Sequence, residues 1–220
     1  MTGRSNPVRA RRAGTTAVTP SVRGSVPVVL ASASPRRAEV LKMLGLSFDV
    51  APARIEERRE PGEEPLRYVE RLAREKARAV WATRANALTI AGDTIVVLDG
   101  QVLEKPADGE DAAGMLASLS GRVHLVHSGL ALACGGRMAS RVATARVTFR
   151  GVGHDLIGSY VETGEPLDKA GGYGIQGYGS ALVQRIEGDY FTVVGLSVAA
   201  FVELLPELGL AYRPGEVFAP

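Results

Sequence analysis

Cysteine and histidine are scarce in this chain of 220 residues. The single cysteine, Cys134, excludes a disulfide framework and a cysteine-based zinc site, and it suits a reducing compartment. None of the three histidines has the spacing that is usual for metal ligands. His124 and His127 are three residues apart in a predicted strand, so they should point to opposite faces. We therefore expect the histidines to be structural or surface residues.

Several signatures of nucleotide and hydrolase chemistry are also missing. No Gly-x-x-x-x-Gly-Lys-Ser/Thr segment is present, which excludes a P-loop enzyme. No dinucleotide-binding fingerprint follows the first predicted strand, and no Gly-x-Ser-x-Gly nucleophile elbow occurs. No apolar run is long enough to span a bilayer, so we expect no membrane partner. Internal repeats are lacking too, and the length suits one substantial domain or two small lobes.

Acidic residues are missing from segment 1–27, whose five arginines give it a charge of +5. The whole chain has a net charge of +2, which leaves −3 for the remainder. The excess of positive charge thus lies in this segment, and no nucleic-acid polymer is expected as a partner. We interpret residues 1–25 as a basic, disordered leader or an over-long start, because they lack the apolar core of a secretory signal. The predicted domain covers 26–212, followed by a tail at 213–220.

The stretch that organises the chain is a predicted strand that runs directly into a helix. An apolar run at 28–30 is followed by Ser34, which suits a helix N-cap, and by Pro35, which suits the first helical position. Two cations, Arg36 and Arg37, then occupy the first helical turn, where the helix dipole disfavours positive charge. This arrangement is typical of a corner that binds a polyanion through amides, hydroxyls (including Ser32) and guanidinium groups. The alternative is an exposed basic turn without a ligand.

A lysine interrupts the apolar stripe of the next predicted helix, at residues 65–84. Lys76 follows Leu72 by four residues and precedes Val80 by four, so all three share one helical face. One interpretation is a lysine whose stem passes the edge of the core and whose ammonium reaches water. The other is an ammonium aimed at an anion in a cleft.

A carboxylate likewise interrupts the apolar run at 88–98. Asp93 lies within this predicted strand, and Asp99-Gly100 is a strong hairpin-turn signal. Counting outward from that turn places Thr94 opposite Lys105, so Asp93 and Lys105 should lie close together. The pair is interpreted either as a structural ion pair or as a functional site, with a carboxylate that activates water or holds a metal beside a phosphate-binding lysine. A buried charge is costly, which favours the functional reading.

Apolar periodicity and turn residues predict the remaining elements. These are strands at 47–51, 101–104, 122–134, 137–149, 181–187 and 190–195, and helices at 109–119, 155–163 and 197–208. Between them, segment 165–179 contains five glycines in its last nine positions, which is typical of a loop whose backbone approaches a ligand. Its amide side chain, Gln176, could read a nucleotide base, although a plain mobile connection is the simpler alternative.

Taken in order, these motifs resemble the Maf family over about residues 26–210. The motifs that carry the resemblance are Ser-Ala-Ser-Pro-Arg-Arg at 32–37, Leu-Ala-Arg-Glu-Lys at 72–76, Ala-Gly-Asp-Thr at 91–94, Leu-Glu-Lys-Pro at 103–106, Glu-Pro-Leu-Asp-Lys-Ala-Gly at 165–171 and Tyr-Gly-Ile-Gln-Gly at 173–177. The resemblance implies an α/β fold, a mixed twisted sheet with flanking helices in two lobes around a deep cleft, related to inosine triphosphatase-like enzymes. It also implies a cytoplasmic, often dimeric, house-cleaning enzyme that cuts nucleoside triphosphates between the α and β phosphates with a divalent metal.

The resemblance also implies roles for individual residues. Asp93 would be the catalytic acid–base residue, and it would hold Mg²⁺ or Mn²⁺ together with Glu57, with Glu56 as a further candidate. The implied substrate-binding residues are Ser32, Ser34, Arg36, Arg37, Lys76 and Lys105, and those tied to nucleotide choice are Arg36, Thr94 and Gln176. The sequence leaves open whether Asp93 deprotonates water directly or acts through the metal.

Within the family, the Ile-Gln-Gly and Ser-Pro-Arg-Arg motifs look like the dTTP/UTP subgroup rather than the 7-methyl-GTP one. One departure is Gly92, since the family usually has alanine before this aspartate, and the glycine could loosen the local backbone. Two alternative functions remain open at this point. One is a nucleotide-binding regulator of cell division with little turnover, and the other is a pyrophosphatase for a purine or modified nucleotide.

Overall fold

A mixed β-sheet flanked by helices organises residues 24–220, the part of the chain that this computed structural model describes. Most of the predicted leader at 1–25 lies outside the described residues. The helices are α1 (Pro35–Met43), α2 (Pro65–Trp81), α3 (Gly109–Leu119), α4 (His154–Glu162), α5 (Tyr190–Val194) and α6 (Val198–Leu204). The strands are β1 (Val28–Leu30), β2 (Asp49–Val50), β3 (Leu88–Leu98), β4 (Gln101–Leu103), β5 (Val123–Cys134), β6 (Arg137–Phe149), β7 (Val183–Glu187), β8 (Ala211–Arg213) and β9 (Glu216–Phe218).

One edge of the long strand β3 has a gap in its pairing with neighbouring strands. The main path through the sheet is β2-β1-β3-β5-β6-β7, with β1 parallel to both of its neighbours and the other pairs antiparallel. β5 pairs with β3 along residues 89–97, but the opposite edge of β3 pairs with β1 only at 88–90 and with β4 only at 96–98. Within the described chain, residues 91–95 therefore have no strand neighbour on that edge.

The two faces of the sheet pack against different helices. Because side chains alternate along a strand, Val29 and Ala31 face α2, whereas Val28 and Leu30 face α1 and α6. On the face opposite α2, a second apolar cluster joins β3 and β5 to α3 and α4. The two clusters on that face form the two lobes, and the gap in β3 lies between them. The predicted mixed sheet with flanking helices and two lobes is confirmed.

Most of the predicted elements are present, with boundaries shifted by a few residues. Ser34 caps α1 as expected, and its hydroxyl accepts a hydrogen bond from the Arg37 backbone N–H at 3.5 Å. The predicted turn at Asp99-Gly100 is also confirmed, since both residues have positive φ values, 50° and 79°. The predicted strand at 47–51 is reduced to Asp49–Val50, and the glycine-rich segment includes short 3₁₀ helices rather than loop alone.

The strand predicted at 190–195 is wrong, because this segment forms α5. Asp189 caps the helix by accepting hydrogen bonds from the Phe191 N–H and the Thr192 hydroxyl, both at 3.0 Å. Gly195, with φ of 112°, ends it after one turn and a half. The β-branched and aromatic residues suggested a strand, but capping and burial determine the conformation here.

The segment 213–220, predicted to be a tail, contributes β9. β8 and β9 form a hairpin, and Val217 is buried in the same apolar cluster as α1 and α6. Ser25 bridges to Phe218, and the Val26 N–H donates to the Val217 carbonyl at 3.0 Å, so both ends of the described chain meet. Among residues 24–220, no helix combines the length and the apolar character needed to cross a membrane.

Candidate active site

A cleft of about 600 Å³ opens at the gap in β3. Its walls come from the β1–α1 junction, from α2, from residues 93–96 of β3 and from the glycine-rich segment. A volume of this size is typical of a pocket for a small molecule, since such pockets hold roughly 300–1,000 Å³. Asp93 faces α2 and Thr94 faces α1, because adjacent residues of a strand point to opposite faces. One strand therefore places a carboxylate on one side of the cleft and a hydroxyl group on the other.

Arg37 is fixed on the α1 side by three hydrogen bonds. Its guanidinium nitrogens donate to Ser32 Oγ at 2.9 Å, to Thr94 Oγ1 at 3.1 Å and to the Gly195 carbonyl at 2.8 Å. None of these acceptors is a carboxylate, so the charge of Arg37 is not neutralised by direct contact. Burial lowers the pKa of Arg37, and the field of nearby Asp93 partly opposes that effect. A half-buried, oriented guanidinium of this kind is suited to an anion.

The short distance between Arg37 and β3 depends on a residue without a side chain. A Cβ at position 92 would lie 3.2 Å from Arg37 Nε and 3.1 Å from the Gly129 carbonyl oxygen. Gly92 therefore lets Arg37 pack tightly against the strand. The prediction was that this glycine could loosen the backbone; φ at position 92 is not positive, and β5 pairs with the strand there.

Arg36 is held less firmly than its neighbour. Its guanidinium pairs with Asp168 at 3.3 Å, and its side chain is 25% exposed. Asp168 in turn binds Lys169 Nζ at 2.6 Å. This ion pair joins α1 to the glycine-rich segment across the cleft, so the two arginines of the first turn have different environments.

On the α2 side, a lysine lies between two carboxylates. Lys76 Nζ is 2.7 Å from Asp93 Oδ1 and 2.7 Å from Glu57 Oε2. Lys76 and Asp93 are both buried, whereas the Glu57 side chain is 45% exposed. The Lys76 ammonium is thus directed into the cleft rather than towards bulk water. The three groups carry one net negative charge, which leaves a carboxylate available in the cleft.

Lys105 was predicted to lie opposite Thr94 and close to Asp93, but the strand pairing does not extend to these residues. β3 and β4 pair as counted from the turn, but the pairing ends at Val96 and Leu103. Lys105 lines the same cleft and is exposed, and among the described residues no ion pair links it to Asp93. Hairpin register could not reveal Lys76, because Lys76 lies on α2 and not on either strand of the hairpin.

Two other predicted residues are not among those that line the cleft. Glu56 is exposed and outside the lining, whereas its neighbour Glu57 is part of it. Gln176 is exposed in a turn, directly after Ile175, which lines the cleft. Thr94 is in place, and its hydroxyl is 2.8 Å from Ser128 Oγ, which donates to the Thr192 carbonyl.

Sequence reasoning assigned no role to several other lining residues. Tyr68 donates its hydroxyl to Glu104 at 3.2 Å, and burial raises its pKa. Tyr173 is buried, and its hydroxyl is 2.8 Å from His124 Nε2. Glu104, Asp168 and Lys169 lie within motifs that carried the family resemblance, so those motifs were the available signal.

The donor set in the cleft suits a hard divalent cation that is shared with a substrate. Within residues 24–220, no group of three or more His, Cys, Asp or Glu side chains is arranged to hold a metal ion. Glu57 Oε2 and Asp93 Oδ1 nevertheless both lie 2.7 Å from Lys76 Nζ, so the two carboxylates are close together. Mg²⁺ commonly uses one or two carboxylates and completes its coordination with phosphates and water.

Cations on one wall and a buried carboxylate on the other define a site for a phosphorylated small molecule. A family model described as Maf-like protein matches residues 27–208. A protein named dTTP/UTP pyrophosphatase from Moorella thermoacetica is 52% identical over 185 residues, covering 83% of this chain and 95% of that protein. One of the same name from Escherichia coli (strain K12) is 50% identical over 177 residues, covering 80% and 90%. The chain belongs to the Maf family, so the predicted resemblance is confirmed.

A solved structure, that of the Staphylococcus aureus Ham1 protein, is similar to part of the chain. The TM-score is 0.42, the sequence identity is 16%, and the match covers 56% of this chain and 71% of that one.

Proposed function

We propose that this protein hydrolyses nucleoside triphosphates, with dTTP and UTP preferred, to the monophosphate and pyrophosphate. The names of relatives that are about half identical over four fifths of the chain support this substrate class. The observation that carries the chemistry is the buried Asp93 carboxylate, which faces a cleft whose opposite wall holds the fixed Arg37 guanidinium. A protein that only bound nucleotides would not need a buried carboxylate beside the phosphates.

The reaction requires a positioned water, a proton acceptor and neutralisation of the phosphate charge. Arg37 and Lys105 bind phosphate oxygens, and the charge that develops on pyrophosphate in the transition state strengthens these contacts. Water attacks the α-phosphorus and gives its proton to Asp93, and the bond from that phosphorus to the oxygen bridging to the β-phosphorus breaks.

Glu57 and Asp93 are the residues that would hold a divalent cation, Mg²⁺ or Mn²⁺. When bound, the cation supplies additional neutralisation of phosphate charge. Lys76 contacts both carboxylates, so a cation held between them would displace its ammonium, which would then bind a phosphate oxygen. Glu56, which lies outside the cleft lining, is not part of this proposal.

Three residues are proposed to select the nucleotide, namely Arg36, Thr94 and Gln176. Thr94 orients Arg37 and thereby the phosphates, and Arg36 lies between α1 and the glycine-rich segment. The Gln176 amide offers a paired donor and acceptor, which matches the edge of uracil or thymine. The family resemblance further supports a homodimer and a cytoplasmic location as proposals.

The test is a product analysis with dTTP, UTP, CTP, ATP and GTP in the presence of Mg²⁺ or Mn²⁺. The proposal predicts monophosphate and pyrophosphate from dTTP and UTP, with slower turnover of the other nucleotides. Diphosphate and orthophosphate as products would contradict the assigned bond. Binding without turnover would support a nucleotide-binding regulator instead.

A further inference from the structure

The carboxylate of Glu165 is the centre around which the glycine-rich segment folds. Oε2 accepts a hydrogen bond from the Tyr178 backbone N–H at 2.9 Å, and Oε1 accepts one from the Gly179 N–H at 3.1 Å. Oε1 also accepts from the Tyr160 hydroxyl at 3.0 Å, and that hydroxyl accepts from the Gly174 N–H at 3.1 Å. One side chain thus binds, directly or through one phenol, the backbone at both ends of residues 174–179.

This segment lies so close to Glu165 that it requires glycine at particular positions. A Cβ on Gly177 would overlap the Glu165 carboxylate, which cannot move aside while it accepts three hydrogen bonds. A Cβ on Gly179 would lie 2.7 Å from both the Gly174 carbonyl oxygen and the Tyr160 hydroxyl. The backbone therefore wraps closely around Glu165, and its path depends on that carboxylate.

Gln176 lies in the part of the segment that is held from both sides. On its N-terminal side, Ile175 packs against the cluster formed by α1 and α6, and Tyr173 is buried against His124. On its C-terminal side, Tyr178 and Gly179 are bound to Glu165. Gln176 itself is exposed. Its position at the edge of the cleft is consequently set by its neighbours rather than by contacts of its own side chain.

We propose that Glu165 is a positioning residue for base discrimination, because it fixes the segment that presents Gln176. Glu165 does not line the cleft, so it touches neither the phosphates nor the attacking water. Its effect is transmitted through the backbone of 174–179 to the base. This inference rests on the proposed function, in which Gln176 binds uracil or thymine.

The variant that tests this role is Glu165→Gln. Glutamine has the same shape, but its NH₂ group cannot accept a hydrogen bond, so it must face either the Tyr178 N–H or the Gly179 N–H as a second donor. Glu162→Gln is a matched control, because Glu162 is exposed at the end of α4 and outside the cleft lining. Tyr160→Phe is a second variant that keeps both bonds from Glu165 to the backbone and removes the link to Gly174.

The measurements distinguish an effect on binding of the base from an effect on binding of the phosphates. For Glu165→Gln we expect the preference for UTP over CTP, as a ratio of kcat/KM, to fall roughly tenfold, the equivalent of one specific hydrogen-bonding contact. Most of the change should be in KM for UTP, and inhibition by pyrophosphate should not change, because pyrophosphate has no base. Tyr160→Phe should show a smaller fall, and Glu162→Gln should behave like the wild type.

Amide hydrogen exchange gives a readout that does not depend on turnover. Exchange at Tyr178 and Gly179 should be faster in Glu165→Gln than in Glu162→Gln. Faster exchange with an unchanged UTP/CTP ratio would overturn the proposed role. An equal loss for all nucleotides together with weaker pyrophosphate inhibition would also overturn it, as would unchanged exchange. If the wild type hydrolysed no nucleotide, the proposed function would fail, and UMP and CMP binding to the variants would then test the positioning role.

Discussion

The two ends of the cleft are built differently. At the phosphate end, Arg37, Lys76 and Asp93 come from two helices and a central strand, and their charged atoms are bound to one another or to neutral oxygens. At the other end, Gln176 is exposed on a turn, and the nearby Tyr178 is 73% exposed. Reaction geometry is thus fixed by regular elements, whereas nucleotide selection depends on an irregular segment held by its backbone. Substitutions at the two ends should therefore affect different kinetic parameters.

The largest effect is expected at Asp93. Asp93→Asn removes the proposed proton acceptor and leaves the shape of the site intact, so kcat should fall by about 10³-fold, within the range usual for general-base catalysis. Asp99→Asn is the matched control, since Asp99 lies at the end of the same strand in the exposed turn. Initial rates with UTP measure the effect. A loss of less than tenfold in Asp93→Asn, or an equal loss in both variants, would contradict the role of Asp93.

The neighbouring arginines give the next comparison, because the same substitution has different consequences at each. Arg37→Lys removes the planar group that binds Ser32, Thr94 and the Gly195 carbonyl together, and kcat/KM for UTP should fall about 100-fold. Arg36→Lys keeps an ion pair with Asp168 available and should cost about tenfold or less. If Arg36→Lys were the more damaging of the two, the assignment of the fixed phosphate-binding cation to Arg37 would be wrong.

A smaller and more selective effect is expected at Gln176. Gln176→Glu replaces the amide donor with a second acceptor, so KM for UTP should rise about tenfold while kcat changes little. Steady-state kinetics with UTP, CTP and GTP measure the preference. An unchanged preference would remove Gln176 from the proposed selection of the base.

The smallest effect concerns stability at the end of the cleft where His124 supports Tyr173. Burial lowers the pKa of His124 to about 4, below the usual value of about 6.5 in an unfolded chain. As the pH falls, the unfolded state takes up the proton first, so the free energy of unfolding declines from about pH 6.5 and levels off near pH 4. The expected loss between pH 7 and pH 5.5 is about 1 kcal/mol.

Urea unfolding of the wild type and His124→Gln at both pH values isolates this contribution. His127, whose pKa is also lowered by burial, titrates in both proteins and so cancels in the difference. An equal pH-dependent loss in the two proteins would show that His124 does not titrate as described.

Local signals in the sequence were sufficient for most of the fold. The N-cap at Ser34 and the turn at Asp99-Gly100 were predicted because each depends on a few adjacent residues. The segment 190–195 was mistaken for a strand because the residue types favour one, and only the cap at Asp189 and the burial of Thr192 and Val194 show why it is a helix.

The sequence indicated many of the residues that form the site, but it did not indicate which of them contact one another. Lys76 and Asp93 were each identified as charges that interrupt an apolar pattern, yet their pairing depends on how α2 packs on the sheet. The Arg36–Asp168 pair joins residues that are 132 positions apart, and no local pattern predicts it. The role of Glu165 is likewise visible only once the backbone around it is known.

The central claim, attack of water on the α-phosphorus with Asp93 as proton acceptor, is tested most directly by isotope labelling. UTP is hydrolysed in water enriched in ¹⁸O, and the products are analysed by mass spectrometry. The account predicts one ¹⁸O atom in UMP, none in pyrophosphate, and almost no labelled product from Asp93→Asn in the same time. Label in pyrophosphate would place the attack on the β-phosphorus, and that result would contradict the account.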